Sequence, residues 1–178
     1  MPKVTVVIPS YNHARFLEQR IVSVLAQTYS DFDVLFLDDA STDESLKVFA
    51  KYQSHPRIRA VLNQTNSGST FKQWNKGVRA AQGEYIWLAE SDDVAEPRFL
   101  ETLVGLLDNN PTVGLAYSDS LYIDDGGNPF ALAHLRYREL HPTHWESDYI
   151  SRGTEECLRY LIHLNTIPNA SAPRFASG

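Results

Sequence analysis

Val4-Thr5-Val6-Val7-Ile8 runs directly into Pro9-Ser10-Tyr11-Asn12. Every residue of the first run is β-branched, and no polar position alternates along it as it would in a half-exposed strand. Such a strand is covered on both faces, so it belongs inside a parallel sheet wrapped by helices. The chain that follows supplies the partners. Leu17, Ile21, Val24 and Leu25 recur at helical spacing. Phe32 to Leu37 reads as a second strand. Ser41 and Glu44 have capping-box spacing before a helix whose core side carries Leu46, Phe49 and Ala50. Ile58 to Leu62 is a third strand, and Ser69 can cap a helix with Phe71, Trp74 and Val78 on one side. Tyr85 to Ala89 is a fourth. Pro97 suits the first turn of a helix facing the core through Leu100, Leu103, Val104 and Leu107, and Val113 to Tyr117 is a fifth strand. This alternation predicts an α/β fold, a Rossmann-like mostly parallel sheet with helices on both faces and right-handed crossovers.

Sheets of this kind bind ligands at the carboxyl ends of their strands. Polar clusters sit at each such end: Pro9, Ser10, Tyr11 and Asn12 after the first strand, Asp38 and Asp39 after the second, Asn66 to Ser69 after the third, Glu90-Ser91-Asp92-Asp93 after the fourth. Three carboxylates within four residues repel one another unless a cation or a hydrogen-bond network offsets them. Capping of the next helix explains one of them. A divalent ion carrying a phosphate group, Mg²⁺ or Mn²⁺ by its preference for oxygen ligands, explains all three. Asp93 is then the direct ligand, Asp92 touches a ribose or sugar hydroxyl, and Glu90 orients the shell. Asp39 can accept the imide N–H of a uracil ring, or the pair Asp38-Asp39 can serve only a strand-to-helix turn. Tyr11 offers a ring for base stacking, with a simple helix cap at Asn12 as the alternative. Gly68 permits close backbone approach beside Asn66, and Lys72 can meet a phosphate or remain solvated.

The rest of the sequence narrows the class. With 178 residues, 43% hydrophobic and 21% charged, the chain is expected to form one globular domain. A net charge of −6 argues against a nucleic-acid partner. No apolar run approaches the roughly eighteen residues of a membrane helix, and no signal peptide is legible, so the expected location is cytoplasmic, compatible with work at the inner face of a membrane. Cys157, the single cysteine, rules out an internal disulfide and reads as helix core. So do Trp74 and Trp87. Asp124 to Pro129 marks a hairpin tip, 130–153 shows no period, and Thr154 opens a last helix through Leu158, Leu161 and Ile162. His134, His141 and His144 lack the spacing and the fourth ligand of a zinc site.

Taken together these blocks resemble the family 2 glycosyltransferases, which have a GT-A fold. The resemblance lies in Val6 to Asn12, Leu37 to Asp43, Asn66-x-Gly68, Asn75-x-Gly77, Gly83-Glu84-Tyr85-Ile86 and Ser91-Asp92-Asp93, with Asn165 to Ser171 similar to a later family segment. It implies transfer of a sugar from a nucleotide donor, usually with inversion. Uridine is the default base, with thymidine and guanosine open. Pro9, Tyr11 and Asp39 would hold base and ribose, and Asp92 and Asp93 would form the DXD-type element, in which Glu90 replaces a common Asp. Residues 1–118 would be the nucleotide-binding core and 119–178 the start of an acceptor-side region. The family's catalytic base, an acidic residue, is expected beyond Gly178. On that reading this stretch binds a nucleotide-sugar with Mg²⁺ or Mn²⁺ and turns over poorly or not at all. If it does turn over, Asp119, Asp148 or a loop histidine is the candidate base. The acceptor, a glycan, a lipid or a cell-surface polymer, is left open. A non-catalytic nucleotide-binding or interaction module is the alternative.

Overall fold

The structure, a computed structural model, describes residues 1–176. Two compact units emerge, Met1–Ala116 with the segment from Pro173, and Tyr117–Ala172. In the first, β1 (Val4–Ser10) is buried along its whole length, as its β-branched composition requires. It pairs in parallel with β2 (Phe32–Asp38) on one side and β4 (Tyr85–Leu88) on the other, and β3 (Ile58–Leu62) extends the sheet beyond β2. Helices cover both faces. Val4, Val6 and Ile8 pack with α1 (Ala14–Leu25), α2 (Ser45–Ala50) and α4 (Phe99–Asn109). Val7, Leu35 and Leu37 face α3 (Thr70–Ala80).

β5 (Leu115–Tyr117) does not sit beside β4. The sheet order is β3-β2-β1-β4-β8-β5, and β8 (Pro173–Ala176) runs antiparallel against β4. No closing strand is legible at the sequence's end, because the four residues Pro173–Ala176 carry no alternation of their own.

Several helix expectations need correction. On α3 the sheet-facing residues are Gln73 and Gly77, while Phe71 is 67% exposed and Val78 is also exposed. A Cβ at Gly77 would lie 2.4 Å from Val7 Cγ1, so the glycine lets helix and strand touch. That close approach rotates the apolar stripe outward. The capping box is not formed: Ser41 Oγ accepts from the Asn12 amide, and Asp43 Oδ1 serves Ser45 N at the start of α2. Leu46 is exposed, and α2 is anchored in the core by Phe49, which stacks on Phe36, with partly buried Val48 beside it. Pro97 precedes α4, whose Leu100 amide is satisfied by buried Gln27 Oε1 at 2.8 Å.

The second unit holds a hairpin of β6 (Leu121–Ile123) and β7 (Pro129–Leu132). Its tip is closed by Asp124 Oδ1, which accepts from the amides of Gly126 and Asn128. A 3₁₀ turn (Ala133–Tyr137) follows, then α5 (Gly153–Glu156), which runs into a π-helical turn (Cys157–Leu161). Here too the apolar reading fails. Leu158, Ile162 and Cys157 are exposed, and Tyr160 is the buried residue, packed on His144 and Trp145. Among the described residues no helix is long and apolar enough to cross a membrane.

Candidate functional site at the carboxyl rim of the sheet

The loops that leave β1 and β2 are stitched together by short polar side chains. Asn12 adopts a left-handed backbone (φ 56°), and so does Ala40 (φ 61°). These conformations are unfavourable for non-glycine residues and are held here by hydrogen bonds. Asn12 Oδ1 accepts from the Thr42 amide at 2.8 Å and the Asp43 amide at 3.3 Å. Asp43 Oδ2 accepts from Ala14 N, and Ser45 Oγ from His13 N, so the start of α1 is bonded into the β2–α2 turn. Tyr11 stands on this rim with 45% of its surface exposed. Behind it, Ser10 and Asp38 are register partners, both buried. Asp38 Oδ2 accepts from Ser41 N, while Asp38 Oδ1 and Ser10 Oγ have no hydrogen-bond partner.

Asp39, the expected base reader, is held by several protein donors. The residue is 4% exposed. Oδ1 accepts from Asn63 Nδ2 (2.6 Å), Ser67 N (2.9 Å) and Gln73 Nε2 (2.8 Å), and Oδ2 accepts from Ser67 Oγ (2.7 Å). Its backbone oxygen takes Asn66 Nδ2. Asp39 therefore ties the β3–α3 loop to the end of β2. Asn66 Oδ1 in turn accepts from Gly68 N, and Gly68 sits at φ 71°, where a side chain would be strained. Lys72 is exposed and donates to the Ser67 carbonyl at 2.8 Å, so its ammonium is held beside this turn.

The acidic run after β4 is a turn in which the Asp93 amide donates to the Glu90 carbonyl at 3.3 Å. Three side chains, from α3 and from α1 with its N-cap, clamp it. Trp74 Nε1 of α3 donates to Glu90 Oε1 at 2.5 Å, and His13 Nδ1 lies 2.6 Å from Ser91 Oγ. Arg20 Nε of α1 donates to the same Glu90 carbonyl at 2.6 Å. Arg20 is fully buried, over the Trp87 ring, with Nη2 3.7 Å from Asp93 Oδ2. Burial pushes its pKa down to about 10 against the opposing pull of Asp93, Asp92 and Glu90. Burial also pushes Glu90 up to about 6, with the Trp74 N–H opposing and the Asp92 and Asp93 charges adding to the rise.

Arg20 and His13 are absent from the sequence reading, and Trp74 appears there only as core. A signal existed for Arg20: it shares the face of Leu17, Ile21 and Val24, where a cation is out of place unless acids meet it. Its presence also revises the charge argument, since part of the offset for the three carboxylates is a resident guanidinium.

These side chains fit a divalent ion in part. Asp92 is exposed and the Asp93 side chain is 37% exposed, so two hard oxygen ligands are available. Glu90 does not fit as a third, being half-buried with one oxygen on Trp74. Among the described residues no three acidic, imidazole or thiolate side chains converge on one point. One or two carboxylates with waters and substrate phosphates is nevertheless the ordinary way Mg²⁺ is held. In the second unit, His134 Nδ1 pairs with Asp119 Oδ2 at 2.6 Å, and His141 and His144 pack in the aromatic cluster around Tyr160. The acidic base placed beyond Gly178 lies outside the described residues.

A mostly parallel sheet wrapped on both faces, with polar loops gathered at one edge, is the arrangement of a GT-A fold. Residues 5–174 match the family described as Glycosyl transferase family 2, and the chain belongs to it. It is 31% identical over 179 residues to the putative glycosyltransferase EpsE of Bacillus subtilis, covering 99% of this chain and 60% of that protein. The structure of Staphylococcus aureus TarS 1-349 in complex with UDP-GlcNAc superposes with a TM-score of 0.58 at 28% identity, over 61% of this chain and 32% of that one. The Pyrobaculum calidifontis mannosyltransferase PcManGT in complex with GDP-Man and Mn²⁺ gives 0.59 at 28% identity, over 66% and 35%. The chain spans about half the length of the curated relatives it matches.

Proposed function

We propose that this chain binds a nucleotide-diphospho-sugar, a UDP-sugar in the first instance, for inverting transfer to a glycan, lipid or cell-surface acceptor. The observation that carries this reading is the pinned turn Glu90–Asp93, which leaves Asp92 exposed and Asp93 half-exposed at the same sheet edge as the loops that follow β1, β2 and β3. Tyr11 offers its open ring to the base. Ser10 and Asp38 lie immediately inboard with oxygens that have no protein partner. Pro9 and Asn12 shape the backbone of that loop. Asp39 acts through the wall it holds, Asn66 to Gly68, with Lys72 at its edge facing the diphosphate. Asp93 and Asp92 would hold Mg²⁺ or Mn²⁺, and Glu90 supports the turn without joining them.

The reaction displaces a nucleoside diphosphate from an anomeric carbon, and negative charge grows on the leaving group. A bound divalent ion neutralises that charge. The protein's part is to fix the base, the diphosphate and the turn so that the donor is presented in one orientation. The complexes of TarS with UDP-GlcNAc and of PcManGT with GDP-Man and Mn²⁺ support the donor class and the ion. Calorimetric titration of UDP with and without Mn²⁺ tests the reading. Binding that depends on Mn²⁺ and is lost in Asp93→Asn is expected. Equal binding with and without the ion, or no binding at all, points to the interaction module instead.

A further inference from the structure

We propose that Arg20 is a positioning residue of the donor site. From beneath the Glu90–Asp93 turn its guanidinium fixes the turn and keeps Asp93 directed to a divalent cation and the diphosphate it carries. The inference rests on the donor-site reading above.

A guanidinium inside a helix–sheet core is costly, and an apolar residue of similar volume would pack there without that cost. The neighbours on its face, Leu17, Ile21 and Val24, are of that kind. What Arg20 touches explains its place. Its Nε donates to the Glu90 main-chain carbonyl at 2.6 Å, and that same oxygen closes the turn by accepting from the Asp93 amide. Its contact to the Asp93 carboxylate is longer, 3.7 Å, which is an ion pair beyond hydrogen-bond reach. Asp93 is thus compensated without being consumed, and its side chain stays 37% exposed. Glu90, Asp92 and Asp93 repel one another, and a fixed cation below them keeps the turn from opening. The Trp87 ring underneath leaves the guanidinium little freedom to move.

Two effects of Arg20 on a divalent ion oppose each other. Through space it repels the ion, and through the turn it orients the ligand. The short bond to the backbone makes orientation the larger effect, which fixes the sign of the test. The full chain is prepared as Arg20→Met and Arg20→Lys, and UDP is titrated with and without MnCl₂. Amide hydrogen exchange at Asp93 is followed without ligand. In Arg20→Met the Mn²⁺-dependent affinity for UDP should fall about tenfold or more, the range for residues that orient a metal ligand. The metal-free affinity should be unchanged, and the Asp93 amide should exchange faster. Arg20→Lys should recover only part of the affinity, because an ammonium keeps the charge but not the fork. Unchanged or tighter Mn²⁺-dependent binding in Arg20→Met overturns the proposal. If Arg20→Met does not fold, Arg20→Lys decides, and wild-type affinity and exchange in that variant overturn it. A wild-type chain without Mn²⁺-dependent binding sinks the donor site, while unaltered exchange at Asp93 in the variants sinks the positioning separately.

Discussion

Asp39 shows how far a residue's chemistry can be read before its neighbours are known. An aspartate at a strand end can accept from a base, and here it also accepts from Asn63, Ser67 and Gln73. Asp39→Asn would place an NH₂ group against donors and leave buried groups unpaired. A loss of about 2–3 kcal/mol is expected, since hydrogen bonds to a charged acceptor are worth roughly that much. Urea denaturation of the ligand-free protein reads it, and a residue that served only a ligand would leave the curve unmoved. Glu90 makes a pH prediction. Its folded pKa, about 6, lies above the ordinary 4.5, so the folded state holds the proton more tightly than the unfolded chain. Its contribution is complete below 4.5 and lost as pH rises through 6. Without divalent ions, wild type should therefore lose stability relative to Glu90→Gln between those values, and parallel melting series across that window should show the gap opening.

Elements carry a second kind of information. α3 has an apolar stripe that predicts burial of Phe71 and Val78, and the structure buries Gln73 and Gly77 instead. Gly77 brings the helix onto Val7, and Gln73 then reaches Asp39 while Trp74 reaches Glu90. Helix packing and site assembly are thus one event. Gly77→Ala must push α3 off β1, and overpacking of this kind costs about 1–3 kcal/mol. The melting temperature should fall. The indole environment of Trp74 should change with it, seen as a shift in tryptophan fluorescence that a substitution at exposed Phe71 does not reproduce.

Across the whole molecule, the late strand β8 is the feature that organises the sheet. It lies between β4 and β5, antiparallel to β4, so the strand bearing the acidic turn is flanked on both sides. Truncation after Ala172 would leave an unpaired edge on β4, and such edges invite association between copies. Light scattering should show concentration-dependent assembly of the truncated chain, and amide exchange in β4 should rise while β2 stays protected.

Residue order alone is enough to establish the alternation of buried strands and helices, the side of the sheet where polar residues gather, and the family those blocks resemble. Each follows from local periodicity and from the rule that loops after parallel strands share one edge. Which acid is open and which is occupied was decided by tertiary structure. Arg20 and Glu90 are 70 positions apart, His13 and Ser91 78, and Asp39 and Gln73 34. No local pattern encodes such pairs, because they arise only when strands far apart in the chain bring their loops to one rim, where burial and charge sort the partners.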